Sequence, residues 1–354
     1  MPKKAKPQTR PTKVDSTTAL AAYLGLSRWT ISRVLNNHPG IKEDTRKRIF
    51  DAMQQLGFLP NPMARGLRGS KTGLIGVSFQ ELESPILAKK TSMLQLILRN
   101  EGFRAILELN GGYPEREEES IRHFLSLMCD GIVLVGSALT PESPIIEHIR
   151  QTGKPVVLID PATSIDFASI SLDRERAVAL EIEHLYGLGH RQFALLGFDE
   201  SVAYGAARME GVRKTSTELK LKQKANFTSL RIIGRQGHNY EYGEILAEQY
   251  LGLSPRPTAL IAVNDRVAIG AMKRLRDAGL KAPKDFSITG FDNLEVAAYT
   301  DPGLTTVDQQ VDKMMTLAVQ VLKRRIEEPA TAIEHHSIQP VLLQRGSTGA
   351  VAAR

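Results

Sequence analysis

A single cysteine, Cys129, in 354 residues leaves nothing to pair with, which excludes a disulfide framework and any zinc site built on four cysteines. Apolar runs of membrane-spanning length are absent, and the Pro- and Lys-rich start is followed by no apolar signal segment, so the sequence reads as cytoplasmic with no membrane partner. His190, His335 and His336 come with no metal-ligand spacing and no nucleophile elbow, so neither an enzyme nor a metal or cofactor is expected. Acidic residues are scarce at the start. Over residues 1–73, fourteen Lys and Arg stand against four Asp and Glu, net +10, while the rest of the chain is net −3. A basic head on a slightly acidic body is the electrostatic footprint of phosphate-backbone binding. Part of it is the tail KKAKPQTRPTK, but Arg28, Arg33, Lys42, Arg46, Lys47, Arg48, Arg65, Arg68 and Lys71 lie beyond that tail in patterned sequence.

Within the basic head, LAAYLGLSRWTISRVLN (residues 20–36) reads as a helix, a three-residue turn and a second helix. Ala21, Ala22 and Leu24 supply small apolar packing, Gly25 relieves the turn, and Ser27 caps the second helix, where Ile31, Val34 and Leu35 recur at helical spacing. The polar face is then Arg28, Trp29, Ser32, Arg33 and Asn36, of a size to enter a DNA major groove. EDTRKRIFDAMQQLGF follows as a third helix, with Ile49, Met53 and Leu56 on one face, Asp44 or Thr45 near its start to satisfy free amides, and Gly57 closing it. In LPNPMARGLRGSKTG only Met63–Arg68 can be helical, and so short a helix needs DNA or a partner copy to form.

From Leu74 onward, short aliphatic runs alternate with amphipathic helices. LIGVSF, AILEL, GIVLV, PVVLID and ASISL form one series, and FALLG, RIIG, ALIAVN and SITGF a second, which predicts two α/β lobes of parallel strands flanked by helices. Loops at the carboxyl ends of such strands meet in a crevice. Asp160, Asn264, Asp265 and Asp292 end strands there, and Arg208 follows FALLGF on a helix, a set able to bind hydroxyls bidentately. Each aspartate alternatively caps a helix or forms a turn, Asp265 before VAIGAM especially. Arg208 alternatively pairs with Glu210.

LGLSRWTISRVLN, TRKRIFDAMQQLGFLPNPMARGLR, IGVSF, LGHRQFALLG, RMEG, NDRVAIGAM, GFDN and LTTVDQQ together resemble the lactose-repressor and galactose-repressor family of bacterial transcription regulators, from about Ser16 to Leu343. The resemblance implies a helix-turn-helix head with a hinge helix, then a two-lobed periplasmic-binding-protein-like body, acting as a homodimer on a near-palindromic operator in double-stranded DNA. It divides the chain into a disordered tail 1–14, a DNA-binding domain 15–60, a hinge and linker 61–73, a body 74–345 and a disordered tail 346–354. Within the body it puts 74–171 and 303–334 in one lobe, and 172–302 and 335–345 in the other.

By the same resemblance the recognition helix starts at Ser27, with Arg28 and Trp29 on the base-reading positions and Arg33 also facing the DNA. Leu67 is the minor-groove wedge, with Asn61, Ala64 and Arg65 beside it. Asp160, Arg208, Asn264 and Asp292 fall on effector-contacting positions, Gln309 lies at the lobe junction, and Phe79 with the Leu82–Pro85 loop forms the amino-lobe wall. Aspartate and asparagine favour a neutral carbohydrate over a nucleobase. Ala19 stands where the family has Asp and Thr17 where it has an apolar residue, so the first helix is expected to take its cap from Thr17 or Thr18. Gly66 replaces Ser or Gln and raises the entropy cost of folding the hinge. No leucine-rich tail follows Leu343, which favours a dimer over a tetramer. The absent signal and the basic head argue against a solute-binding protein, and repressor is preferred to activator.

Overall fold

The computed structural model describes residues 14–35, 38–59, 71–232 and 239–351. The chain divides after Thr72 into two units, 1–72 and 73–354.

In the first unit α1 (Thr17–Leu24), α2 (Arg28–Leu35) and α3 (Glu43–Leu56) enclose Leu20, Leu24, Ile31, Val34, Ile49 and Phe58. The turn after α1 depends on Gly25, whose φ of +64° is a left-handed conformation that side chains disfavour. The α1 cap is Ser16, whose hydroxyl accepts from the Ala19 amide at 3.1 Å, so the expected Thr17 or Thr18 cap is corrected and the lost aspartate costs the helix little. Ser27 caps α2 as expected, accepting from Thr30 N at 3.0 Å. Ala22 is exposed, outside the small core it was expected to join. Neither Asp44 nor Thr45 caps α3; Lys42 precedes the helix without a side-chain cap, and Glu43 and Asp44 instead place negative charge in its first turn.

The second unit holds two six-stranded sheets. The first runs β11-β5-β4-β3-β1-β2, all parallel, from β1 (Leu74–Phe79), β2 (Arg104–Leu109), β3 (Gly131–Val135), β4 (Val156–Ile159), β5 (Ala168–Leu172) and β11 (His335–Ile338). The second runs β12-β10-β9-β8-β6-β7, from β6 (Phe193–Leu196), β7 (Phe227–Leu230), β8 (Ala259–Ala262), β9 (Ser287–Phe291), β10 (Thr305–Asp308) and β12 (Val341–Leu343), with only β12 antiparallel. The central strands are buried along their whole length, as parallel strands covered on both faces must be. Helices Pro85–Asn100 and Val311–Glu327 cover one face of the first sheet through Leu94, Leu98, Met314, Ala318 and Leu322.

Three expectations are corrected here. β7 falls on FTSL rather than on RIIG. β10 pairs with β9 and so belongs to the second lobe, while β11 pairs with β5 and belongs to the first; segment 303–308 therefore leaves the first lobe, and 335–338 leaves the second. The short run LTTVD suits either sheet by composition, and its pairing beside β9, with Leu304 and Val307 buried, decides the matter. The third correction concerns the end of the chain, which is not disordered as far as Val351. Ser347 is fully buried, its hydroxyl donating to Ile288 O at 2.6 Å and accepting from Thr305 N at 2.9 Å. His190, donating at 2.8–3.1 Å or accepting according to tautomer, links Thr258, Ser287 and Gly349 O, which gives it a structural role at this strap.

Ser347→Ala would strand a buried carbonyl and a buried amide, and should destabilise the protein by about 1–3 kcal/mol in denaturant unfolding. An unchanged unfolding midpoint would mean that the strap contributes no stability.

Candidate functional site

Two surfaces carry the candidate residues. On the head, α2 begins at Ser27, whose hydroxyl is committed to the cap. Arg28 is exposed with no hydrogen bond or ion pair among the described residues, and Trp29 is 63% exposed beside it. Arg33 is less available than its place on the polar face suggests. Its guanidinium lies 4.4 Å from the centre of the Trp29 ring and donates to Pro39 O at 3.1 Å and to His38 Nδ1 at 2.6 Å. The residue therefore supports the indole instead of projecting freely. Ser32 is half-buried on the same helix. Arg48, counted among the basic residues, donates to Leu24 O at 2.8 Å and closes the carboxyl end of α1. Asn36, Asn61, Ala64, Arg65 and Leu67 lie outside the described residues.

The second surface is a cleft of about 300 Å³ where the carboxyl ends of strands from both sheets meet, the position at which open α/β sheets bind ligands. Asp160, Arg208, Asn264, Asp292 and Gln309 all line it, as expected. Phe79 does not: it ends β1 but turns into the core of the first lobe, 1% exposed, and the wall is formed instead by Gln80, Glu81 and Ser84 after it. Asn264 also caps the helix Asp265–Asp277 by accepting from Val267 N at 2.9 Å. That corrects the reading of Asp265 as the cap. Asp265 is fully buried under the cleft, bound by Thr306 Oγ1 at 2.5 Å and Leu294 N at 2.7 Å, and Gly290 is required opposite it because a Cβ there would come within 2.4 Å of its carboxylate.

Asp160 is the most heavily bonded group. Its carboxylate takes Lys90 Nζ at 2.6 Å, Arg174 Nη1 at 2.8 Å and Leu172 N at 2.9 Å, and its main-chain oxygen takes the Tyr204 hydroxyl at 2.5 Å. Burial opposes its charge, but Arg174 and Lys90 outweigh that and hold the carboxyl well below the usual range. Sequence reading missed Lys90, Arg174 and Tyr204. Lys90 left a trace, since it shares a helix face with Leu94 and Leu98, where a lysine needs a buried partner.

Arg208 contrasts with Asp160. Its guanidinium stacks 4.7 Å from the centre of the Phe291 ring, its Nε is buried without a partner, and it makes no ion pair among the described residues, Glu210 pairing with Arg213 instead. Burial, then the like charge of Arg174, bring its pKa down to about 10, so it stays charged at neutral pH. Gln309 donates to Asp292 Oδ1 at 2.5 Å and leaves its own oxygen, in a residue 4% exposed, without a partner. Burial raises Asp292 to about 6, Asp265 to about 7 with help from the Asp292 charge, and Glu181 to about 8. Asp160 and Asp292 both take positive φ, 49° and 109°, backbone strain of the kind that gathers at ligand sites. Among the described residues no group of His, Cys, Asp and Glu could hold a metal ion, and no helix is long and apolar enough to cross a membrane.

Residues 19–61 match the family described as bacterial regulatory proteins, lacI family, and residues 182–348 match the periplasmic binding protein-like domain. The chain is 31% identical over 334 residues to the HTH-type transcriptional regulator MalR of Streptomyces coelicolor, covering 93% of this chain and 95% of that one. It is 27% identical over 329 residues to the HTH-type transcriptional repressor PurR of Vibrio cholerae, covering 92% and 96%. The lac repressor dimer bound to operator and the anti-inducer ONPF superposes with a TM-score of 0.82 at 25% identity, covering 96% of this chain and all of that one.

Two outcomes are expected. Asp160→Asn leaves Lys90 and Arg174 facing a neutral group, and should cost about 3–5 kcal/mol in denaturant unfolding, as breaking a buried pair does; a cost below about 1 kcal/mol would mean the cations find other partners. The pH dependence of Glu181 has a definite sign. A carboxyl whose folded pKa lies above its unfolded value near 4 stabilises the fold below that value, and loses this contribution as pH rises through the folded pKa. With Glu181 near 8, the melting temperature of Glu181→Gln should fall less than that of the parent between about pH 6 and about pH 9. Parallel curves would show that Glu181 is already ionised.

Proposed function

The chain belongs to the lacI family of bacterial regulatory proteins, and is therefore a sequence-specific DNA-binding transcription regulator rather than an enzyme; on that premise we propose that it is a repressor, bound as a homodimer to a near-palindromic operator and controlled by a small effector in the cleft. The observation that carries the DNA side is the unengaged Arg28 beside an outward Trp29 at the start of α2. A free guanidinium there donates bidentately to guanine, while the indole presents an apolar edge to a thymine methyl or a sugar. Ser32 and Arg33 lie along the same helix, Asn36 is assigned to the same DNA-facing set, and Asn61, Ala64, Arg65 and Leu67 are assigned to the minor groove, Leu67 as the wedge.

In the cleft, Arg208, Asn264, Asp292 and Gln309 contact the effector, while Asp160 acts through the cations it holds. An effector that alters how the two lobes close changes the relation of the heads in the dimer and hence operator affinity. Repression is supported by similarity to repressors, since PurR of Vibrio cholerae is a transcriptional repressor and the lac repressor dimer is seen on its operator.

Selection of bound sequences from random DNA by the purified protein should return a short near-palindrome. Titration of that site with Arg28→Ala should then lose about 1–3 kcal/mol against the parent operator, and lose discrimination at one base pair per half-site. Equal losses on all sequences would reassign Arg28 to the phosphate backbone. A reporter that rises when the gene is deleted supports repression, and one that falls overturns it.

A further inference from the structure

We propose that the effector is a hydroxylated anion, a sugar phosphate or a sugar acid, whose charged group sits on Arg208 and one of whose hydroxyls donates to Gln309. This inference rests on the cleft being the effector site and specifies what the cleft takes.

The cleft is lined by four cations, Lys90, Arg174, Arg208 and Arg266, and by three carboxylates, Glu81, Asp160 and Asp292. Asp160 is consumed: Lys90 and Arg174 both bind it, and the Leu172 amide takes a further position. Three donors fill most of its acceptor positions, so it has little capacity left to orient a sugar. Glu81 is exposed at the rim, and Asp292 already accepts from Gln309. Arg208 and Arg266 make no hydrogen bond or ion pair among the described residues. A guanidinium whose face is covered by Phe291 offers its edge, and the edge carries the forked donors that match a carboxylate or a phosphate. Asp292 and Glu181 lie near the part-buried guanidinium but neither bonds it, so an anionic ligand supplies the bidentate pairing that the cleft leaves unmade.

The second unpartnered group has the opposite polarity. Gln309 is 4% exposed, lines the cleft and keeps its Oε1 free, an acceptor waiting for a donor. A halide or sulfate has no hydrogen to give it, and a neutral polyol leaves the forked donors of Arg208 without a charged acceptor. A molecule with both a negative group and hydroxyls completes both.

The carboxyls around Arg208 add a pH dependence. Asp292 faces Arg208, Gln309, Lys90 and Arg174, and burial places it near 6. Glu181, which faces Arg208 and Asp265, is near 8, so it is mostly uncharged at neutral pH and does not neutralise the guanidinium. Asp160 is held by Lys90 and Arg174, so protonating Asp292, which also faces the Asp265 carboxyl, lowers the negative charge around Arg208; a sugar acid, whose carboxylate stays ionised, should therefore bind more tightly as pH falls toward about 6, and a neutral sugar should not.

The test is calorimetric titration of the full-length protein with glucose and galactose, their 6-phosphates, gluconate, galacturonate and inorganic phosphate. At least one hydroxylated anion should bind at least about tenfold more tightly than its neutral parent and than inorganic phosphate. A preference for the 6-phosphates identifies a phosphate source, and a preference for gluconate or galacturonate a carboxylate. Arg208→Gln should abolish the preference, and Arg208→Lys, which keeps the positive charge without the fork, should retain part of it. Neutral sugars binding as well as their acidic counterparts would overturn the proposal and leave the cleft as the effector site. Failure of every ligand at millimolar concentration would overturn both.

Discussion

The buried meeting of Asp160 with two cations sets the geometry on which the effector body depends. Asp160 ends β4, and its left-handed backbone turns the carboxylate toward Lys90 on the helix Pro85–Asn100 and toward Arg174, where the chain first leaves one lobe for the other. The same carboxylate holds the Leu172 amide at the end of β5, and the main-chain oxygen holds Tyr204 on a helix of the second lobe. One residue thus ties the first sheet, the first crossing and the opposite wall. Arg174 adds a second tie by lying 4.4 Å from the centre of the Tyr204 ring. A buried ion pair is weak evidence for net stability, because both partners surrendered hydration, but it is directional. Here that direction fixes the spacing of the two walls and leaves the remaining donors and acceptors to decide what fits between them.

On the far side of the cleft the electrostatics are reversed. The second lobe buries Glu181, Asp265 and Asp292 close to Arg208, and burial pushes all three upward. The first lobe therefore contributes a saturated carboxylate, and the second an unsaturated guanidinium over carboxyls held partly or wholly neutral. Three segments connect the lobes, between β5 and Arg174, between β10 and Val311, and between β11 and β12. Three parallel tethers admit closure or twist and suppress free tumbling, so an effector that bonds both walls alters a restricted coordinate.

Much of this was legible in the sequence, and the failures share physical causes. Strands buried on both faces read directly, because LIGVSF, GIVLV and FALL carry no polar position except the small Ser78. β11 and β10 were misassigned because edge and crossing strands such as HHSI and TTVD carry a weak period, and their partners are set by topology. Four of the cleft's aspartate, asparagine and arginine positions were legible because polar residues near strand ends stand out against aliphatic runs, while Gln309 came only from the family resemblance. Their roles did not follow. Whether Asp160 is free or saturated depends on Lys90, seventy positions away, and whether Asn264 or Asp265 caps the helix depends on Thr306 claiming Asp265. The expectation of a neutral sugar rested on aspartate and asparagine groups together, and one of these, Asp160, is held by Lys90 and Arg174. Phe79 failed for a related reason: the end of a strand faces either the core or the cleft, and one residue's shift decides between them.

In the head, the division of labour between Arg33 and Arg28 has the same logic of committed and uncommitted groups. Arg33 spends its donors on the loop after α2 and its face on Trp29, which gives the indole a fixed orientation despite its exposure. A fixed aromatic edge discriminates by shape and by apolar contact with a methyl group, and its single N–H adds little code. Arg28, one position earlier, keeps every donor. Under the proposed function, sequence discrimination by the start of α2 is concentrated in one charged contact flanked by one apolar contact. The surrounding basic residues add affinity that depends on salt and carries no sequence information.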